Sequence, residues 1–228
     1  MKGHPYAIIL SALLAAVCLG CSNTADSSSS ARKQAVKVRT GNATHEIDIR
    51  IPAGADINLP YPTVYMMDKE LFDTVLFVFY VDSLTYADVI SPILLVATDD
   101  ISTDLISEVE KHINANGRIF YGNGAGADSG LQFSITAPKD LFKEYWCFNP
   151  SPDNINAASL SGTTYRINWN LKNNTEAYYD KYPAFVYSLR KRGATIIEST
   201  YNDYNDLPSR IIEFLQMIIE VFPAQPAR

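Results

Sequence analysis

The sequence predicts an α+β protein with a single folded domain, in which a mixed β-sheet packs with three to four helices. Two observations carry this prediction. Residues 93–97 form a continuous apolar run that is typical of a central strand, and a segment with helical spacing and capping residues follows over residues 101–113. The chain of 228 residues also closes on a strongly apolar helix, and its length suits one hydrophobic core.

The first part of the predicted domain is a β-hairpin followed by a loop. Apolar and polar residues alternate over residues 36–40 and 46–51, and Gly41 and Asn42 supply the turn between them. Proline and glycine interrupt residues 52–63, which predicts a loop there. Residues 75–81 are all apolar or aromatic, which predicts a second central strand covered on both faces.

A short strand at residues 118–121 leads into a glycine-rich segment, residues 122–130. Because residues 131–136 look like a strand, the glycines are predicted to form a hairpin loop and not a phosphate-binding turn before a helix. Asn123 and Asp128 are the side chains that a small ligand or a calcium ion would use in this loop. A short helix is predicted over residues 138–146.

The last part of the domain is predicted to hold two strands and two helices. The strands cover residues 163–171 and 194–200. Residues 175–192 fit either a helix ending at Gly193 or half of a hairpin, and the helix is favoured, with Pro183 bending it. The final helix, residues 207–222, carries apolar side chains on two faces, which predicts that it is covered on two sides.

The N-terminus has the layout of an export signal. Lys2 gives a positive start, residues 7–19 form an apolar stretch, and small Gly20 precedes Cys21. The motif Cys18-Leu19-Gly20-Cys21 resembles the cleavage motif of bacterial lipoproteins. The resemblance implies removal of residues 1–20 and acylation of Cys21, including palmitate, while Ser22 in place of an aspartate implies an outer-membrane location facing the periplasm. An ordinary secretory signal and a retained membrane anchor are the alternatives.

This interpretation divides the chain into a signal peptide (residues 1–20), a tether (21–34) and the domain (35–228). Residues 22–30 have almost no apolar content, which predicts a flexible tether. Removing residues 1–20 takes away one lysine and no acid, so the net charge moves from −6 to −7 and argues against nucleic-acid binding. Cys147 would be left as a lone thiol, more typical of a buried structural cysteine than of a nucleophile.

Few residues in the sequence indicate a catalytic or metal-binding site. After removal of residues 1–20, the sequence has no G-x-S-x-G, H-E-x-x-H or C-x-x-C motif, so no metal or cofactor is predicted, and His45 and His112 are the histidines that remain. Asp99 and Asp100 follow a predicted central strand, where they would either cap the next helix or face a ligand. A carboxylate hydrolase would use one of this pair.

The late tyrosines are the remaining candidates for a binding surface. Tyr178, Tyr179 and Tyr182 lie among charged residues, and tyrosine combines a large rigid face with a hydroxyl. These features together predict a lipid-anchored envelope protein that binds a protein partner without catalysis, as an inhibitor or immunity-type protein or as a component of an envelope complex. The alternative is a small periplasmic hydrolase or a glycan-binding lipoprotein.

Overall fold

The computed structural model describes residues 31–151, 159–170, 176–201 and 207–224. They belong to one compact unit, built on a single eight-stranded sheet. Among the described residues, no helix is long and apolar enough to cross a membrane.

The sheet has the strand order β1-β2-β4-β3-β5-β6-β7-β8. Strand β2 runs antiparallel to both β1 and β4, and every other neighbouring pair is parallel. The strands are β1 (Arg32–Thr40), β2 (Ala43–Ile51), β3 (Tyr61–Met67), β4 (Leu94–Ala97), β5 (Ala115–Asn123), β6 (Glu144–Phe148), β7 (Thr164–Asn170) and β8 (Thr195–Tyr201). The carboxyl ends of β3 to β8 therefore meet at one edge of the sheet.

Helices follow most of the parallel strands and cover both faces of the sheet. They are α1 (Lys69–Phe72), α2 (Val75–Tyr86), α3 (Thr103–Val109), α4 (Ala125–Thr136), α5 (Glu176–Lys191) and α6 (Leu207–Val221). Helices α3, α4 and α5 bury Leu105, Leu131 and Leu189 in a core cluster on one face. Helices α2 and α6 meet on the other face, where the rings of Phe77 and Phe214 lie 4.9 Å apart in an edge-to-face contact.

Much of the predicted architecture is confirmed. The single domain, the mixed sheet, the N-terminal hairpin and the apolar last helix are all present, and residues 175–192 contain helix α5 with Pro183 inside it. The α+β class is wrong. Strands and helices alternate along the chain after the hairpin, and the described part holds six helices, so the fold is α/β.

Three element predictions are also wrong. Residues 75–81 lie in helix α2 and residues 131–136 in helix α4, whereas residues 138–146 form no helix and end in strand β6. Strand β3 was missed because Pro62 lies within it. In an apolar run without polar residues, apolar and polar positions do not alternate at a helical or strand spacing. The same residues therefore suit a buried strand or a helix covered on several sides.

Candidate functional site at the end of β5

The glycine segment forms a sharp strand-to-helix turn. Strand β5 ends at Asn123, Gly124 makes the turn, and helix α4 begins at Ala125. Gly124 has φ 54° and ψ −120°, a backbone conformation that side-chain-bearing residues adopt only under strain. Its N–H donates to the carbonyl of Phe148 at 2.8 Å, and its own carbonyl accepts from the N–H of Asp128 at 3.1 Å. The predicted hairpin loop is therefore wrong.

Close backbone packing fixes this turn. A Cβ on Gly126 would lie 2.3 Å from the carbonyl oxygen of Met67 at the end of β3, and a Cβ on Gly122 would lie 2.5 Å from the carbonyl carbon of Gly126. Both distances are far inside van der Waals contact, so only glycine fits at either position. The ends of β3 and β5 and the start of α4 consequently touch through their main chains.

The space above Gly124 is open. A Cβ built on Gly124 would meet no heavy atom within 4 Å, and Ala125 beside it is exposed. Helix α4 has no side-chain cap, and the first N–H groups of a helix have no partner inside the helix. Together with the helix dipole, these donors can bind a carbonyl or carboxylate oxygen placed over Gly124.

Two predicted ligand residues lie at this turn and already have intramolecular partners. The Asn123 side-chain oxygen accepts from the Asn149 amide at 3.4 Å, and the Asp128 carboxylate accepts from the main-chain N–H of Ser151 at 2.6 Å. These contacts tie the turn to the end of strand β6. They position the turn, and both side chains remain partly accessible at its rim.

A charged network lies buried where β3 ends and α6 begins. The Arg210 guanidinium donates to the Asp68 carboxylate at 2.8 Å and also bonds to Glu70. The Asp68 side chain is 5% exposed and that of Arg210 is 6% exposed. The Tyr121 hydroxyl donates to the same Asp68 oxygen at 3.4 Å, and burial raises the pKa of Tyr121 well above its ordinary value. This network fixes α6 against the strand ends.

Glu213 and Asn168 extend the polar interior along α6. The Asn168 amide donates to the Glu213 carboxylate at 2.7 Å, and burial raises the pKa of Glu213 to about 7, against the lowering effect of that bond. Within the described part of the chain, the Asn168 side-chain oxygen and the Arg210 Nε are buried and accept or donate no hydrogen bond. The interior beside the turn thus retains polar atoms with unused hydrogen-bonding capacity.

The other predicted site residues lie elsewhere. Asp99 and Asp100 follow β4, which β3 separates from β5, and both are exposed. Asp100 accepts the N–H of Ile101 at 2.8 Å, whereas Ser102 caps helix α3. No cluster of metal ligands occurs among the described residues.

The tyrosines are not brought to the turn either. Tyr182 on α5 is half-buried, and its hydroxyl donates to Glu198 at 3.0 Å. Tyr178 and Tyr179 lie on the same helix, but their side chains fall outside the described part, as Cys21 does.

The remaining candidate nucleophile and bases are also remote or inert. Cys147 is fully buried in β6, and burial raises the pKa of its thiol. His45 lies on β2, which β4 and β3 separate from β5 in the sheet, and His112 is exposed just after helix α3.

Comparison with known proteins identifies the fold. No protein-family model and no curated protein sequence matches the chain. A ferulic acid esterase matches with a TM-score of 0.67 at 11% identity, over 85% of this chain and 98% of that one. An IroE-like serine hydrolase from Shewanella oneidensis matches with a TM-score of 0.63 at 15% identity, over 84% of this chain and 80% of that one. A ferulic acid esterase from Anaeromyces mucronatus matches with a TM-score of 0.62 at 13% identity, over 86% of this chain and 93% of that one.

These likenesses show that the chain has an α/β-hydrolase-like fold. They also overturn the predicted binding of a protein partner, because the similar chains are esterases and a serine hydrolase. The alternative prediction of a hydrolase agrees better with this finding.

The turn at Gly124 corresponds to the nucleophile elbow of that fold, but it has no nucleophile. The elbow motif is G-x-S-x-G at a strained strand-to-helix turn, and residues 122–126 read Gly-Asn-Gly-Ala-Gly. Gly124 therefore stands where the serine would be. The triad of this fold also needs a histidine late in the chain, and the sequence has none after His112. The given sequence therefore lacks both the elbow serine and a later histidine of this motif.

The sequence held a detectable sign of this elbow. The spacing Gly122-x-Gly124-x-Gly126 has the two outer glycines of the motif, with glycine in place of serine. A search that required the serine could not find it. The Asp68–Arg210 pair carried no local sign, because its members are 142 residues apart.

Proposed function

We propose that the chain is a hydrolase-fold protein of the cell envelope that binds the acyl oxygen of an ester or carboxylate ligand at the Gly124 elbow. The proposed ligand class is an aromatic acid or its ester, because two of the similar structures are ferulic acid esterases. The chain acts on this ligand by recognition and not by serine-based hydrolysis, in keeping with the glycan-binding alternative.

One observation carries the proposal: the elbow is intact while its nucleophile is absent. Gly122 and Gly126 are required by backbone contacts, and Gly124 keeps the strained conformation, although nothing fills the space above it. In esterases of this fold, the N–H of the residue after the nucleophile binds the oxyanion. Ala125 occupies that position and keeps its N–H. The missing hydroxyl leaves room for a second ligand oxygen, which favours a carboxylate.

The location is a proposal as well. Acylation of Cys21 would hold the protein at the outer membrane, where it meets glycans and small acids in the periplasm.

Binding is tested with ferulic acid, methyl ferulate and coniferyl alcohol, which share the aromatic ring and differ in the acyl oxygen. Titration calorimetry is expected to show binding of the acid and the ester and none of the alcohol. Ala125→Pro removes one N–H at the first helical position, where proline is tolerated, so it is expected to weaken binding by about tenfold or more without unfolding helix α4. Ala125→Ser keeps the N–H and serves as the matched control.

Two outcomes would contradict the proposal. Equal binding by Ala125→Pro and Ala125→Ser would place the ligand away from the elbow. Steady hydrolysis of methyl ferulate by the unaltered chain, above the rate in buffer, would show an enzyme with a nucleophile other than an elbow serine. An acetyl ester and a feruloylated oligosaccharide, measured beside methyl ferulate, would extend both tests to other acyl groups.

A further inference from the structure

Helix α2 presents an apolar face to solvent. Its residues Phe77, Val81 and Leu84 are buried against the body of the protein. On the opposite side Val75, Leu76, Phe79 and Tyr86 are 80%, 56%, 44% and 94% exposed. Half of the exposed large hydrophobic residues in the described chain lie on this one helix. Such a concentration marks a contact surface, since scattered apolar residues would be spread over many elements.

We propose that this face of α2, formed by Val75, Leu76, Phe79 and Tyr86, lies on the surface of a lipid bilayer. Aliphatic and aromatic side chains on one side of a helix are what an interfacial membrane helix presents to the acyl boundary. The helix has 12 residues and is about 18 Å long, well short of the roughly 30 Å of a hydrocarbon core. It is therefore suited to lie in the interface and not to cross it.

The path of the chain places this face beside the proposed anchor. The described fold begins with β1 at Arg32, and the Lys33 ammonium lies 2.8 Å from the Asp73 carboxylate and 5.5 Å from the centre of the Phe72 ring. Asp73 lies two residues before α2 begins. The segment that leads to Cys21 therefore enters the fold next to the first turn of α2.

The length of the chain before β1 permits an acyl group on Cys21 and the α2 face to contact the same bilayer. Ten residues lie between Cys21 and Arg32, and the eleven steps from one to the other span at most about 40 Å when fully extended. An acyl group on Cys21 would keep the α2 face within reach of the same bilayer.

The charged residues of helix α2 indicate which lipids its apolar face can bind. Helix α2 contains no lysine or arginine, and its one acid, Asp82, is half-buried. The contact therefore depends on apolar burial and not on attraction to anionic headgroups. Adsorption is expected to be the same on phosphatidylcholine vesicles with and without phosphatidylglycerol, and unchanged by high salt.

The test uses the full chain with Cys18 and Cys21 replaced by serine, so that an environment-sensitive dye reacts at Phe79→Cys, on phosphatidylcholine vesicles. Tyr187→Cys is the matched control, because Tyr187 is 67% exposed and lies on α5, which packs on the other face of the sheet. The dye at position 79 is expected to shift to the blue and to be quenched by spin-labelled lipid, whereas the dye at position 187 is expected to do neither. The paired change Leu76→Glu and Phe79→Glu is expected to lower vesicle partitioning roughly a hundredfold.

Water exposure of the dye at position 79 on the vesicle would overturn the proposal, whatever the state of Cys21. A dye that is shielded from water but not quenched by the lipid would also overturn it, since a second protein would then cover the face. A strict need for phosphatidylglycerol would contradict the uncharged contact. These results do not depend on ligand binding at Gly124, so the two proposals can fail separately.

Discussion

Glu213 is the residue whose ionisation should be most visible in stability. Burial raises its pKa from 4.5 to about 7, so the folded state holds a proton that the unfolded chain releases near pH 4.5. The stabilisation is fully present below pH 4.5 and is lost as the pH rises through about 7. Glu213→Gln stays neutral and still accepts from Asn168. It is expected to match the unaltered chain at pH 4 and to exceed it by about 2 to 3 kcal/mol at pH 8.

Urea unfolding at pH 4, 6 and 8 checks this prediction. Asp82, whose pKa burial raises to about 6, contributes in the same direction, but it is present in both proteins and cancels in the difference. Glu220→Gln is the control, because the Glu220 side chain is 65% exposed on the same helix. If the stability difference between Glu213→Gln and the unaltered chain stayed constant from pH 4 to pH 8, burial would not be raising the pKa of Glu213.

The elbow shows why single residues were harder to interpret from sequence than whole elements. A glycine can serve a turn, a close approach or a missing side chain, and local sequence does not distinguish these. At Gly126 the decisive contact is with Met67, which comes from a different strand. At Gly124 the decisive fact is the absence of a side chain at a position that the fold otherwise gives to a nucleophile.

At the scale of elements, the Asp68–Arg210 pair joins the end of β3 and helix α1 to helix α6. Asp68→Asn keeps the cap that Asp68 supplies to Leu71, yet it removes the charge facing Arg210. The buried guanidinium then lacks its principal partner, and the variant is expected to be destabilised by about 3 kcal/mol in urea unfolding. Glu70→Gln removes the other partner of Arg210, but that side chain is 70% exposed, so the expected loss is below about 1 kcal/mol.

Equal losses in Asp68→Asn and Glu70→Gln would contradict this ranking, since burial would then not decide the strength of the pair. Similar circular dichroism of both variants in the absence of urea would show that α1 and α6 still form. Both acids bind the same guanidinium, so the comparison tests the buried acid against the exposed one.

Elements whose apolar residues recur at a regular spacing were predictable, and elements without such a spacing were not. The hairpin buries alternate residues, as its pattern predicted. The last helix was also placed correctly, but α6 buries one set of positions and leaves Ile212 exposed, so the predicted cover on two sides is wrong. Residues 75–81 are apolar throughout, and the choice of helix over strand depends on tertiary contacts such as that of Phe77 with Phe214. The same uniform apolarity leaves the outer face of α2 without a partner in the described fold.

At the scale of the whole molecule, the α+β prediction failed because sheet order is set by pairings that are distant in sequence. Strand β3 inserts between β4 and β5, and its own sequence, with Pro62 near its start, resembles a loop. Once β3 is placed, most of the parallel strands lead to a helix, and the glycine turn falls at the edge where the parallel strands end. The site followed from the topology, which the sequence pattern did not reveal.

The last prediction concerns how the whole molecule is attached. If the lipoprotein resemblance holds, the peptidase cuts only after the Cys21 thiol is acylated. Cys21→Ala is then expected to take up no labelled palmitate and to keep its first 20 residues, so it runs larger and stays in the inner membrane. Cys18→Ala, which changes a residue that is removed, is expected to be labelled and cut normally. Palmitate labelling, gel mobility and membrane fractionation measure all three properties.

Cleavage of Cys21→Ala to normal size would instead identify an ordinary secretory signal, and the α2 face would then be the remaining membrane contact to test.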